Sequence, residues 1–164
     1  MSENLEQIFV SQLMEHQNIL HKICRLYTNN EVEHEDLFQE ITIQLWKAFP
    51  NFRGEAKFST WAYRVALNTA ITLFRKKSKS VTTHSIEDKK IFLKSEDYDA
   101  TEEEQLKLMY QAVQQLNDID KALVFLYLED KDYAEISETL GISEVNARVK
   151  MNRIKGKLKK ILNP

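Results

Sequence analysis

Residues 133–162 read YAEISETLGISEVNARVKMNRIKGKLKKIL, and their spacing decides the fold of the C-terminal part of the chain. Ser137 is followed four positions later by Gly141, and six after that by Ala147. This is helix-turn-helix spacing: small side chains let two helices cross closely, and glycine takes a turn conformation that other residues avoid. Ile136, Leu140 and Ile142 are the expected buried contacts, and Ser143 is a natural N-cap for the second helix. Ala147, Met151, Ile154, Leu158 and Ile161 recur at helical steps as a single apolar stripe. Facing away stand Arg148, Val149, Asn152, Arg153, Lys155 and Lys159. Arginine and asparagine suit base edges in the major groove, while lysine and helix N-termini hold phosphates. The alternative, a protein-binding hairpin with a basic surface, is weaker because spacing and charge agree.

Charge distribution supports a localised nucleic-acid footprint. The 164 residues carry a net charge of −2, yet from Gly141 onward seven Lys/Arg face the single acid Glu144. Residues 1–78 balance nine basic against nine acidic side chains, whereas residues 79–104 hold four Lys against eight Asp/Glu. With 43% hydrophobic residues, 3 Gly and 2 Pro, the chain is expected to be all-α with packed cores. The single cysteine, Cys24, rules out an internal disulfide and fits a reducing compartment. The N-terminus has no signal-peptide pattern and no run is long enough to span a membrane, so a cytoplasmic protein without membrane insertion is expected.

Helices are expected at 3–27, 34–49, 59–77, 102–116, 118–129, 132–140 and 143–161. They group into two small helical domains, 1–78 and 104–164, joined by a flexible linker at 79–103, KSVTTHSIEDKKIFLKSEDYDATEE. The apolar island Ile91-Phe92-Leu93 within that polar segment reads equally as a contact onto a neighbouring domain or as a segment docking in a partner's groove.

Two middle helices carry unusual outer faces. In 35–49, EDLFQEITIQLWKAF, the residues Leu37, Phe38, Ile41, Leu45, Trp46, Ala48 and Phe49 share the expected core face. Ile43 is left exposed among Asp36, Gln39, Glu40 and Lys47, which fits either an ordinary surface residue or a docking face for another protein's helix. In 59–77, Ala62, Tyr63, Ala66, Leu67, Ala70, Leu73 and Phe74 point inward, and Trp61, Arg64, Asn68, Thr72 and Arg75 outward. An indole followed by cations and an amide resembles a single-strand binding surface. From spacing alone, Trp61 capping the core edge is the simpler reading. Between these helices Pro50 stops the first, Gly54 permits a bend, and Ser59 or Thr60 can cap the next. Phe52 and Phe58 bracket a loop that is either a hinge or the lining of a pocket.

The order of these pieces resembles a known family. DLFQEITIQLWKAFPNFRGEAKFSTWAYRVALNTAI, then a linker, then YAEISETLGISEVNARVKMNRIKGKL, is similar to bacterial RNA polymerase sigma factors of the extracytoplasmic-function subfamily. The resemblance implies that Asp36, Gln39, Glu40 and Ile43 dock on the β′ clamp of core RNA polymerase, whose β subunit is also a partner. It implies that Phe52, Arg53, Gly54, Lys57 and Phe58 shape a pocket for a base flipped from the promoter −10 element. Trp61, Arg64, Asn68 and Arg75 would then lie along the melted strand. At the −35 element, Arg148, Lys150, Asn152 and Arg153 fall on DNA-contacting positions, with Ser143 and Lys155 beside them. The linker would run through the polymerase, and an anti-sigma factor is an implied partner. The chain departs from the family at Leu116-Asn117-Asp118-Ile119-Asp120, where a Pro-Glu-Arg start is common. It departs again at Ser137 and Asn146-Ala147, where Ala and Thr-Val are usual.

No phosphate loop, nucleophile elbow or paired metal motif is present, so no catalytic residue, metal, cofactor or small-molecule substrate is expected. His16, His21 and Cys24 lack a second ligand pair and read as ordinary helix residues. The rival to a sigma factor is a stand-alone helix-turn-helix regulator that binds duplex DNA without polymerase, for which the middle helices have no use.

Overall fold

The computed structural model describes residues 2–80 and 102–163. In chain order its helices are α1 (Ser2–Glu15), α2 (Gln17–Tyr27), α3 (Glu31–Ala48), a 3-10 turn (Phe49–Asn51), α4 (Phe58–Ser80), α5 (Glu102–Gln114), α6 (Asp118–Leu128), α7 (Tyr133–Leu140) and α8 (Glu144–Leu162). Among the described residues there is no strand, and no helix is long and apolar enough to cross a membrane. The chain divides into two compact units, Met1–Phe74 and Arg75–Pro164. Most of the expected linker, including Ile91-Phe92-Leu93, lies outside the described residues. At its margins, residues 79–80 belong to α4 and 102–103 to α5.

In the first unit the single helix expected over 3–27 is broken at His16. His16 leaves helical geometry (φ −112°, ψ 14°), and its N–H reaches the carbonyls of both Gln12 and Leu13. Its Nδ1 lies 3.0 Å from the Gln12 carbonyl, and its ring packs 5.2 Å from that of Phe58. The imidazole thus competes for a main-chain acceptor and is held by a distant ring, two effects that helical periodicity does not register. From there α2 buries Leu20, Ile23, Cys24, Leu26 and Tyr27 against Leu37, Ile41 and Leu45 of α3. Burial pushes the Cys24 thiol up to about 12, which keeps it protonated.

Helix α3 begins at Glu31, three residues before the expected start at position 34, because Asn30 caps it. The Asn30 side chain accepts the Glu33 N–H at 2.8 Å, and the Glu33 carboxylate accepts the Asn29 N–H at 3.2 Å. A second tie joins α2 to α3: His21 Nδ1 and His34 Nε2 lie 3.0 Å apart, with the His21 ring stacked 4.6 Å from Phe38. One imidazole must donate and the other accept, so the facing nitrogens share one proton. Burial first, then the neighbouring His34 and Arg25, hold the His21 pKa below its usual value.

Trp46 corrects the expected α3 core face. It is 40% exposed, while Leu37, Ile41, Leu45 and Phe49 are buried. Five residues beyond Ile41, it lies about 140° around the helix from that residue, the middle of the buried stripe of Leu37, Ile41 and Leu45. The ring of Phe9 of α1 packs against Trp46, with ring centroids 5.1 Å apart. The chain then turns into an aromatic cluster. Phe49 and Phe58 are buried, with Phe52 stacked on Phe49 at 6.1 Å and lying 4.9 Å from Trp61. Trp61 in turn lies 5.5 Å from Phe58. Burial of Phe58 starts α4 there, and the Lys57 carbonyl accepts the Trp61 N–H. Neither Ser59 nor Thr60 therefore occupies the expected capping position. On α4 the inward residues Ala62, Tyr63, Ala66, Leu67 and Ala70 are buried, and Leu73 and Phe74 are half-buried.

In the second unit α6 is the central helix, burying Ala122, Leu123, Val124, Phe125 and Leu126. Side chains cap three successive helices: Asn117 accepts from Asp120 N–H, Asp132 from Glu135 N–H and Ser143 from Asn146 N–H. Two left-handed residues set the turns between them. Asp130 (φ 61°) closes α6, with the Lys131 N–H donating to the Leu126 carbonyl. Gly141 (φ 71°) closes α7, with its own N–H and that of Ile142 both donating to the Ser137 carbonyl. Of the three expected turn contacts only Ile136 is fully buried; Leu140 and Ile142 are half-buried at the rim of a short helix. Ala147, Met151, Ile154 and Leu158 of α8 are buried as one stripe, with Ile161 half-buried at its end.

A Cβ on Gly141 would meet nothing within 4 Å, so its replacement strains only the backbone. Gly141→Ala should lower stability by about 1 kcal/mol, and Asp130→Gly should raise it by roughly 0.5 kcal/mol. Hydrogen exchange of α7 and α8 amides checks both. Phe58→Ala should cost about 3 kcal/mol in the first unit. The half-exposed Phe52 should cost less than half of that when truncated. Tryptophan fluorescence in denaturant reads this unit specifically, since Trp46 and Trp61 are the chain's two tryptophans.

Candidate nucleic-acid interface

Helix α8 presents three sides. Its buried stripe faces α6 and α7. Opposite that stripe, Val145, Val149, Asn152 and Arg153 are exposed, Val145 by as much as 70%. On one flank Arg148 lies 4.0 Å from Glu144 and stands over the Tyr133 ring, its Cζ 5.1 Å from the centroid. Lys155 stands similarly over Tyr127 at 5.0 Å. On the other flank Lys150 is half-buried, and Lys157 reaches the largely buried carboxylate of Asp120 at 3.7 Å. Of the six residues expected at duplex DNA, Arg148, Asn152, Arg153 and Lys155 thus share the solvent side. Lys150 is half-buried beyond Arg153, about 60° further around the helix. Ser143 is exposed at the start of α8, where its hydroxyl accepts the Asn146 N–H at 3.1 Å. The lysines of the last turns suit the negative end of the helix dipole.

The loop before α4 and the outer side of α4 make a second surface. Arg53, Gly54 and Lys57 are exposed, and Gly54 (φ 72°) is left-handed, with open space where a Cβ would stand. Phe58 is buried beneath Phe49, Phe52 and Trp61, so it supports the loop from below rather than facing solvent. Trp61 is half-buried within the same cluster, at the core edge. Arg64 and Asn68 are exposed one turn apart on α4, followed by exposed Thr72. Arg75 continues this spacing in the helix, but its side chain lies outside the described residues. The surface therefore combines exposed cations and an amide with a packed aromatic floor.

A third surface lies on α3. Asp36, Gln39 and Ile43 are exposed, Ile43 by 45%. Glu40 is half-buried and accepts a hydrogen bond from Gln44 at 3.0 Å. These four residues fall within an arc of about 100°. Val32 and Trp46 extend it as exposed apolar neighbours. Sequence reasoning missed Trp46 by assigning it to the core, although its angle from Ile41 contained the signal. It also missed Tyr127 and Tyr133, for which no spacing rule exists because they lie on other helices than the cations they support.

A family model for Sigma-70 region 2 matches residues 13–80, and one for Sigma-70, region 4 matches residues 106–158. RNA polymerase sigma-H factor of Pseudomonas aeruginosa is 29% identical over 88% of this chain and 82% of its own length. RNA polymerase sigma factor SigZ of Bacillus subtilis is 27% identical over 87% of this chain and 82% of its own. Among solved structures, the sigma factor RpoE of Bartonella quintana in complex with the anti-sigma factor NepR shares the fold with a TM-score of 0.71. That match has 16% identity and covers 95% of this chain and 97% of the other. The two family models fall on the two compact units and together take in most of the sequence, and the chain belongs to the RNA polymerase sigma factors of extracytoplasmic-function type, which direct transcription initiation.

Proposed function

We propose that the chain binds core RNA polymerase through α3, opens and reads the promoter −10 element with α4 and its preceding loop, and reads the −35 element with α8. The observation that carries this reading is the solvent side of α8. A serine-capped helix follows a left-handed glycine turn and presents Arg148, Asn152, Arg153 and Lys155 away from its core. Arginine pairs bidentately with guanine, asparagine with adenine, and lysine neutralises phosphate.

On α4, Arg64 and Asn68 can follow a separated strand, and Arg53 and Lys57 rim a loop that a flipped base could occupy. Extruding a base costs a few kcal/mol. Stacking recovers about 1–3 kcal/mol per base, and the Phe52 and Trp61 rings are the available surfaces. On α3, Ile43 ringed by Asp36, Gln39 and Glu40 has the mixed character of a helix-docking surface. Polymerisation chemistry belongs to the core enzyme, and the chain contributes recognition without a cofactor. An anti-sigma factor is a proposed partner, by analogy with the Bartonella quintana sigma factor, whose structure is a complex with one, and the cytoplasm is the proposed compartment.

The full chain combined with core polymerase should support run-off transcription from a subset of a promoter library that core alone leaves silent. Binding to duplex DNA without any such transcription would instead mark a stand-alone regulator. Asp36→Arg should weaken core binding at least about tenfold by inserting a cation among docking carboxylates, with the α8 surface untouched. An unchanged core affinity would remove α3 from the interface. Asn68→Ala should slow strand opening several-fold while leaving initial duplex binding within about twofold. Fluorescence of 2-aminopurine placed in the −10 region separates the two steps, and equal loss in both would contradict the role given to α4.

A further inference from the structure

Two cations of α8 are held by tyrosines on the neighbouring helices. Tyr133 opens α7 and lies beneath Arg148, while Tyr127 lies near the end of α6 beneath Lys155. The two rings are 6.5 Å apart and tilted by 42°, so together they form an aromatic shelf along one flank of α8. Arg148 and Lys155 are seven residues apart, about 10.5 Å along the helix, with Asn152 between them on the same side. Tyr127 is 38% exposed and Tyr133 half-buried, so neither ring is explained by core packing alone.

An arginine or lysine free in solvent samples many rotamers and loses that freedom when it engages an anion. A cation already resting on a ring loses less. The Glu144 carboxylate, 4.0 Å from Arg148, adds a second restraint on the same guanidinium, weakened by its exposure to water. We propose that Tyr127 and Tyr133 are positioning residues for duplex recognition, holding Lys155 and Arg148 in the orientation in which α8 presents them to DNA. This rests on the reading of α8 as the duplex-binding helix and adds to it two residues from outside that helix. The opposite possibility, that the rings sequester the cations from DNA, predicts an effect of opposite sign.

The test uses the full chain bound to core polymerase, with duplex fragments recovered by that complex from a random library as the probe. Tyr133→Leu should weaken binding roughly fivefold, and Tyr133→Phe, which keeps the ring, should restore it. Because the charges remain, the salt dependence should keep its slope. In an Arg148→Ala background Tyr133→Leu should have no further effect, a coupling that general destabilisation would not produce. The same cycle between Tyr127 and Lys155 uses a ring exposed enough to be removed without opening the core. Equal losses with and without Arg148, no loss, or tighter binding would each overturn the proposal. If the wild-type complex recovers no fragments at all, the reading of α8 itself fails. If fragments are recovered and the tyrosine variants bind them as well as wild type does, only the positioning role fails.

Discussion

The left-handed turn at Gly141 is the constraint on which the second unit depends. Two N–H groups converge on the Ser137 carbonyl, α7 stops, and Ser143 caps the next helix within two residues. With the exit direction of the chain set, Ala147, Met151, Ile154 and Leu158 can reach the core together. Burial of that stripe leaves the remaining circumference of α8 to water, and that circumference carries the cations. The recognition chemistry proposed for α8 would thus be a by-product of a packing solution: a helix with one apolar side must present its other sides to something.

The first unit reaches a comparable result by aromatic packing. Phe49 and Phe58 enclose the short segment between α3 and α4, and Phe52 and Trp61 close it from above. A loop held at both ends by buried rings can keep Arg53, Gly54 and Lys57 exposed without losing its path. On α3, the cap at Asn30 and the histidine pair to α2 set the helix so that Ile43 and Trp46 remain at the surface. A buried stripe of Leu37, Ile41 and Leu45 is narrow, and whatever lies far from it around the helix stays solvent-facing.

Much of this was legible in the sequence, and the parts that were not have identifiable causes. Periodicity located the apolar stripes of α4 and α8 and, apart from Trp46, that of α3, since a residue's angle around its own helix follows from its number. The glycine turn and the Ser143 cap were readable because each is a local event with a residue preference. Periodicity did not show the break at His16, which depends on a ring 42 positions away, nor that burial of Phe58 would start α4 ahead of Ser59 and Thr60. Trp61 follows the simpler reading of its spacing: its angle puts it on the polar side, and its size lets it reach back to cap the core edge at Phe52 and Phe58. Tyr127 and Tyr133 gained meaning only when three helices were placed together.

The central claim is that the two units address different states of DNA, a duplex for α8 and a separated strand for α4. Tethered cleavage tests it most directly, with an iron chelate attached through Val149→Cys on α8 or Thr72→Cys on α4, both exposed positions. The native Cys24 is buried and its thiol held protonated, so an added surface cysteine should label selectively. In the polymerase–promoter complex the α8 tether should cut an upstream duplex block whether or not the promoter is open. The α4 tether should cut a separate downstream block, and only in opened complexes. Cleavage of one shared block by both tethers, or cutting from α4 that is indifferent to strand separation, would contradict the division of labour.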